Sequence, residues 1–119
     1  MSTYDLELHE SGETGVSLVS LAGELDLTNV SGLERRLETT IPSENALVVD
    51  LNRVVFIDSA ALHCFFRLGR ARGRSRLALV VEPSAPVART LEIVDLGRAV
   101  TITPTLEAAR AALSGVHTT

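Results

Sequence analysis

The sequence predicts an α/β fold in a single domain: a mixed, mostly parallel β-sheet of about five strands flanked by about four helices. Three observations carry this expectation. Short β-branched runs alternate along the chain with stretches whose apolar residues recur every three to four positions, so strand and helix patterns interleave. Glycine or proline punctuates most of the junctions between them. The 119 residues, 45% apolar and 22% charged, suffice for one core without metal or disulfide staples and leave no room for a second domain.

Tyr4 to His9 alternates Tyr4, Leu6 and Leu8 with Asp5, Glu7 and His9, the period-two pattern of a half-buried strand. A polar turn from Glu10 to Gly15 leads into a second strand from Val16 to Ala22, as in a hairpin, and Gly23 is expected to end it. After Thr28 or Asn29, either able to cap, Val30, Leu33 and Leu37 define an amphipathic helix that Pro42-Ser43 breaks. Ala46 to Leu51 reads as a buried third strand. A second helix over Ala60 to Arg72 ends near Gly73, and Arg76 to Val81 supplies the fourth strand. Beyond Pro83-Ser84, a third helix turns Val87, Leu91 and Val94 inward, with Gly97 as its C-terminal cap. Ala99 to Thr103 is a short last strand. The final helix opens at Thr103-Pro104, with Pro104 in the first helical position and Leu106, Ala109 and Leu113 on one stripe. The core thus runs from about residue 4 to 113, followed by a polar tail, Ser114 to Thr119.

The order β-β-α-β-α-β-α-β-α implies parallel strands joined by right-handed helical crossovers. If the strands ending near Ala22 and Leu51 are parallel, the loops after them emerge at the same end of the sheet, where open α/β sheets place functional residues. Asp26 and Ser59 are then expected to be neighbours. Phe56-Ile57-Asp58-Ser59-Ala60-Ala61-Leu62 is the most informative segment, a polar pair between a strand-like run and a helix start. Ser59 falls at or beside the helix N-cap, where unpaired backbone N–H groups and the positive end of the helix dipole favour an anion.

Composition excludes several functions. No apolar stretch approaches the roughly 20 residues that span a bilayer, and Met1 to Glu10 lacks a basic and apolar leader. A soluble, cytoplasmic protein without membrane contact is expected. The lone Cys64 rules out an internal disulfide and is expected to pack as a small hydrophobe. His9, His63 and His117 lack metal-ligand spacing, and no glycine motif for nucleotides occurs, so neither metal nor cofactor is expected. All eleven basic residues are arginine, and Arg67, Arg70, Arg72, Arg74 and Arg76 cluster. A formal charge of −4 and the absence of interleaved aromatics argue against nucleic-acid binding. The arginines instead suit a solvated helix end, where cations offset the dipole and their stems cover apolar surface.

Two segments, Leu21-Ala22-Gly23-Glu24-Leu25-Asp26 and Val49-Asp50-Leu51 running on to Ile57-Asp58-Ser59-Ala60-Ala61-Leu62, resemble the STAS domain, specifically the bacterial anti-sigma factor antagonists. In that family a G-E-L-D motif follows the second strand and an aspartate-serine pair begins the second helix. The resemblance covers about Tyr4 to Leu113. It implies a partner switch: the antagonist binds an anti-sigma factor that is also a serine kinase, frees the sigma factor, and is switched off by phosphorylation. Ser59 would be the phosphoacceptor, Asp58 its flanking acid, and Asp26 part of the docking surface. Ala61, Leu62 and His63 would complete the partner-binding residues. ATP and magnesium would belong to the kinase, a serine phosphatase would reset the switch, and the antagonist itself would not be an enzyme. The chain departs from the family pattern at Ala61, usually glycine, and at Ala60, often a second serine. The Ala61 methyl is expected to crowd an approaching partner backbone.

Without the resemblance, Ser59 reads as a plain cap and Asp26 as a turn residue. Asp50, in an otherwise apolar strand, reads as a structural acceptor at the sheet edge and stands outside the site. A non-switching STAS scaffold module of a transporter or sensory complex is the alternative function. A small serine hydrolase using Ser59 and His63 is the weaker one, because the G-x-S-x-G elbow is absent and a histidine one turn along the same helix is badly placed to take the serine proton.

Overall fold

The computed structural model describes residues 3–9, 15–73, 76–93 and 100–114. Its strands are β1 (Tyr4–His9), β2 (Val16–Leu25), β3 (Ala46–Ile57), β4 (Leu77–Val80) and β5 (Thr101–Thr103). The helices are α1 (Val30–Thr40), α2 (Ser59–Arg72), α3 (Ala88–Ile93) and α4 (Leu106–Ser114). The expected element order is reproduced. Expected features at Arg74, Val94, Gly97 and His117, in the loop over 10–14 and in the tail over 115–119 lie outside the described residues.

The five strands form one sheet in sequence order, with β1 antiparallel to β2 and every later pair parallel. Side chains alternate across this sheet. Leu47, Val49 and Leu51 of β3 point to one face, where Leu33 and Leu37 of α1, Phe65 and Leu68 of α2, and Leu91 of α3 close the main core. Ala46 and Val48 point to the other face and meet Ala109 and Leu113 of α4. The central strands are therefore covered on both sides, which explains why their sequences are nearly continuous apolar runs.

Two strand ends differ from expectation. β3 continues from Leu51 to Ile57, and β2 passes through Gly23 to Leu25. The polar Asn52-Arg53 pair lies beyond the expected strand end at Leu51, yet β3 absorbs it through irregular pairing. Ser20 and Ala22 face Asp50 and Arg53, while Gly23 and Glu24 face Val54 and Phe56, so β3 carries the extra residue each time. Gly23 adopts φ +102°, and a Cβ there would stand 2.5 Å from the Thr3 carbonyl oxygen. It sustains a kink in a continuing strand. Asp50 also differs, because β3 is the central strand rather than an edge. Its carboxylate accepts the Asn52 N–H at 2.9 Å, satisfying a backbone donor where the pairing slips.

Helix starts also shift. Asn29 occupies the N-cap position of α1, but its side chain serves the preceding loop. In α4 the cap is Thr105, whose hydroxyl accepts the Ala108 N–H at 3.0 Å, so Pro104 lies before the helix and not in its first turn.

Candidate functional site

β2 and β3 run parallel and end together, so the loop after β2 meets the start of α2. The connection is made by Asp58. Its backbone N–H donates to the Leu25 carbonyl at 3.2 Å, extending the β2–β3 pairing by one bond. Its carboxylate then accepts from two elements at once: Oδ1 from the Ala61 N–H at 3.1 Å and Oδ2 from the Leu27 N–H at 3.0 Å. Asp58, in extended conformation, is thus the N-cap of α2, and Ser59 is its first helical residue. Either side chain suits a cap; the backbone geometry selects the aspartate and leaves the Ser59 side chain exposed.

The loop carrying Asp26 is a closed hydrogen-bond network. Asp26 Oδ1 accepts from the Thr28 N–H at 2.9 Å and the Thr28 hydroxyl at 2.5 Å. The Asn29 amide donates to the Glu24 carbonyl at 2.9 Å and accepts the Asp26 N–H at 3.0 Å. Asp26 therefore shapes the loop. The side chain this loop presents beside Ser59 is Leu27, 75% exposed. An open depression of about 410 Å³ is lined by Leu27, Val30 and Ser31 on one side and Asp58, Ser59, Ala60, His63 and Arg67 on the other. Leu27 escapes a sequence reading because it belongs to neither apolar stripe. An apolar residue inside a capping loop was the available signal.

Asp58, Ser59 and His63 share this depression, whereas Ala61 and Leu62 do not. Ala61 is fully buried and Leu62 is 8% exposed, both in the main core. The expected crowding of a partner by the Ala61 methyl is corrected accordingly: at this helical position the methyl turns toward the sheet. No hydrogen bond joins Ser59 to His63 among the described residues.

The arginine cluster is largely committed to internal partners. Arg67 on α2 makes a two-pronged contact with Glu34 on α1, at 2.7 and 3.3 Å, and this hydrogen bond holds its guanidinium above its ordinary pKa. Arg72 donates to the carbonyls of Asn45 (2.5 Å) and Pro42 (3.4 Å), and Arg76 donates to that of Glu44. Burial, followed by the nearby Arg76 charge, lowers the Arg72 pKa. Arg70 lies over the Phe66 ring, 5.8 Å from its centroid. Arg72 and Arg76 fasten the α1–β3 loop to the end of α2 and the segment after it, a role that sequence spacing alone does not show.

Two stability predictions arise here. Asp58→Ala removes a cap and a clasp between two loops, and is expected to cost about 1–2 kcal/mol. Urea unfolding with Asp58→Asn as comparison checks this; an unchanged midpoint for Asp58→Ala would contradict the bridging geometry. Cys64 is buried, and burial, reinforced by the Glu34 carboxylate and opposed by Arg67, pushes its thiol from 9.0 up to about 12. The folded chain therefore keeps a proton that the unfolded chain loses. This contribution is complete below pH 9.0 and lost as pH rises toward 12. Native Cys64 should resist iodoacetamide at neutral pH and react only as urea opens the fold; alkylation at the rate of a free thiol would contradict its burial.

No described helix is long and apolar enough to cross a membrane. Over 104 residues the chain is 30% identical to the anti-sigma-F factor antagonist RsfB of Mycobacterium tuberculosis, covering 87% of this chain and 83% of that protein. A crystal structure of an anti-sigma factor antagonist from Mycobacterium paratuberculosis superposes with a TM-score of 0.78 at 26% identity, covering 93% of this chain and 94% of the other. The NMR structure of the protein TM1081 shares the fold, with a TM-score of 0.69 at 21% identity over 89% of this chain and 86% of that one. Residues 8–109 match the STAS domain family. With that match spanning both motif loops, the Asp58 bridge and strands β2 to β5, the chain belongs to the STAS domain family.

Proposed function

We propose that this protein is an anti-sigma factor antagonist, a binding protein without catalysis of its own, whose partner is an anti-sigma factor with serine kinase activity. The observation that carries the reading is the exposed hydroxyl of Ser59, on the first turn of α2, with the G-E-L-D loop bonded to its cap. The names of the relatives support the antagonist role. Leu27 supplies an apolar contact next to the hydroxyl, and aliphatic residues of this kind at the centre of a small surface are suited to exclude water from a partner. Unphosphorylated, this surface binds the anti-sigma factor and frees the sigma factor.

Phosphorylation of Ser59 ends the association. The kinase brings ATP and magnesium, the serine oxygen receives the phosphoryl group, and a serine phosphatase later removes it. The modification adds about −1.5 to −2 charges beside Asp58. The fold itself is unaltered, because Ser59 is exposed and the packing of α2 lies on its opposite face. Action is cytoplasmic, with no direct contact to nucleic acid or membrane.

Affinity capture from host lysate with magnesium and ATP or ADP, using wild-type, Ser59→Ala and Ser59→Asp baits, tests the reading. An ATPase-fold serine kinase should be retained by Ser59→Ala and lost with Ser59→Asp. Identical partners on all three baits, none of them such a kinase, would replace the switch with a constitutive scaffold.

A further inference from the structure

Ser59, His63 and Arg67 are spaced i, i+4 and i+8 on α2 and line the same depression. Successive members rise by about 6 Å along the axis, and helical side chains lean toward the N-terminus, so residue 63 is the one whose side chain can reach back toward the turn that carries Ser59. Arg67 at the far end is engaged by Glu34. His63 is exposed and shares no hydrogen bond with the serine hydroxyl among the described residues. A phosphoryl group extends beyond Oγ by a further bond and presents acceptor oxygens, closing the gap that leaves the bare hydroxyl out of reach.

We propose that His63 is the intramolecular counter-ion of phosphorylated Ser59: its protonated imidazole donates to the phosphate and offsets part of the added charge. The inference rests on Ser59 carrying phosphate. The charged groups facing His63 are Asp58 at the cap, Arg67 one turn further along α2, and Glu34 from α1, which is tied to Arg67; Asp26 in the adjoining loop is turned onto Thr28. Asp58 opposes the phosphate, and its carboxylate already accepts two backbone N–H groups. Of the two basic side chains lining this depression, Arg67 is paired with Glu34, and among the described residues His63 has no acid partner. An imidazole gains that charge near neutral pH, the range in which a phosphoserine takes up its second proton. The two titrations are therefore coupled, each favouring the charged form of the other. The charge difference between the two Ser59 states consequently narrows as pH falls below neutrality.

The test uses the full chain with phosphoserine incorporated at position 59 during translation, so that no kinase is needed. The phosphorus NMR shift is followed against pH at low salt for the His63-containing protein and for His63→Gln. The phosphate midpoint is expected to be lower by about 0.3–0.5 pH unit when His63 is present, a two- to threefold change in proton affinity. The His63 ring signals should in turn titrate at higher pH in the phosphorylated than in the unphosphorylated chain, a comparison that involves no substitution. Coincident phosphorus midpoints, together with an unmoved imidazole titration, would overturn the proposal. Such a result leaves the functional reading intact. Absence of Ser59 phosphorylation by any host kinase sinks that reading while the coupling measured here stands.

Discussion

Ser59→Asp is expected to weaken binding to the anti-sigma factor about a hundredfold, whereas Ser59→Ala should bind within about twofold of wild type. Position 59 is exposed and lines the depression formed by the Leu27 loop and α2. A carboxylate placed there adds a second negative charge next to Asp58. Against an acidic partner group at ~5 Å and an effective dielectric of ~20, the repulsion is roughly 3 kcal/mol, which corresponds to about two decades of affinity. Because the groups are partly solvated, the loss should shrink as salt is raised. Phosphoserine carries more charge than aspartate and should have the larger effect. Isothermal titration calorimetry at two salt concentrations measures both quantities. Equal affinities for the alanine and aspartate variants would show that the interface does not read this position.

Phe65→Ala should cost about 3–5 kcal/mol of stability. Phe65 is the largest fully buried side chain among the described residues, and it seats α2 in the main core that also holds Leu33, Leu47 and Leu79. Truncation forfeits the transfer free energy of the ring and leaves a cavity that β-strands on one side and α1 on the other cannot readily collapse. For a domain of this size, whose whole stability is about 5–15 kcal/mol, the melting temperature should fall by roughly 10–20 °C. Phe65→Leu retains most of the volume and is expected to lose far less. A thermal midpoint for Phe65→Ala within about 3 °C of wild type would contradict the packing. The same helix presents Ser59, so the buried Phe65 and the exposed serine proposed as phosphoacceptor lie on opposite faces of one element.

Much of this arrangement is legible in the sequence because packing and patterning agree. The repeat of Val30, Leu33 and Leu37 identifies a helix whose inner face is the one observed. Ala46 to Val49 is apolar throughout since α4 covers one side of the sheet and α1 and α2 the other. Parallel pairing of β2 with β3 brings the two motif loops together, as topology requires. What escapes is set by long-range contacts. Asn52 and Arg53 look like a chain break, but the former's amide oxygen accepts the Glu82 N–H at 2.7 Å, 30 residues away, while β3 bulges and continues. The arginines between Arg67 and Arg76 look like a surface patch, and only the folded chain shows carbonyls of residues 42, 44 and 45 under two of them. At the site, local chemistry reads Ser59 as the cap, whereas the folded chain places Asp58 there. The choice is made by Leu27, whose N–H bonds to the second oxygen of the Asp58 carboxylate, an acceptor a serine cap lacks.

The most direct test of the proposed switch is a reconstituted release assay, with this protein added to the purified complex of the captured anti-sigma factor and its sigma factor. Without nucleotide hydrolysis, wild type and Ser59→Ala should both displace the sigma factor. With ATP and magnesium, wild type should acquire one phosphoryl group at Ser59, seen by peptide mass spectrometry, and lose its displacing activity, while Ser59→Ala continues to displace. Sustained displacement by a chain fully phosphorylated at Ser59, or no displacement by either protein, would contradict the account.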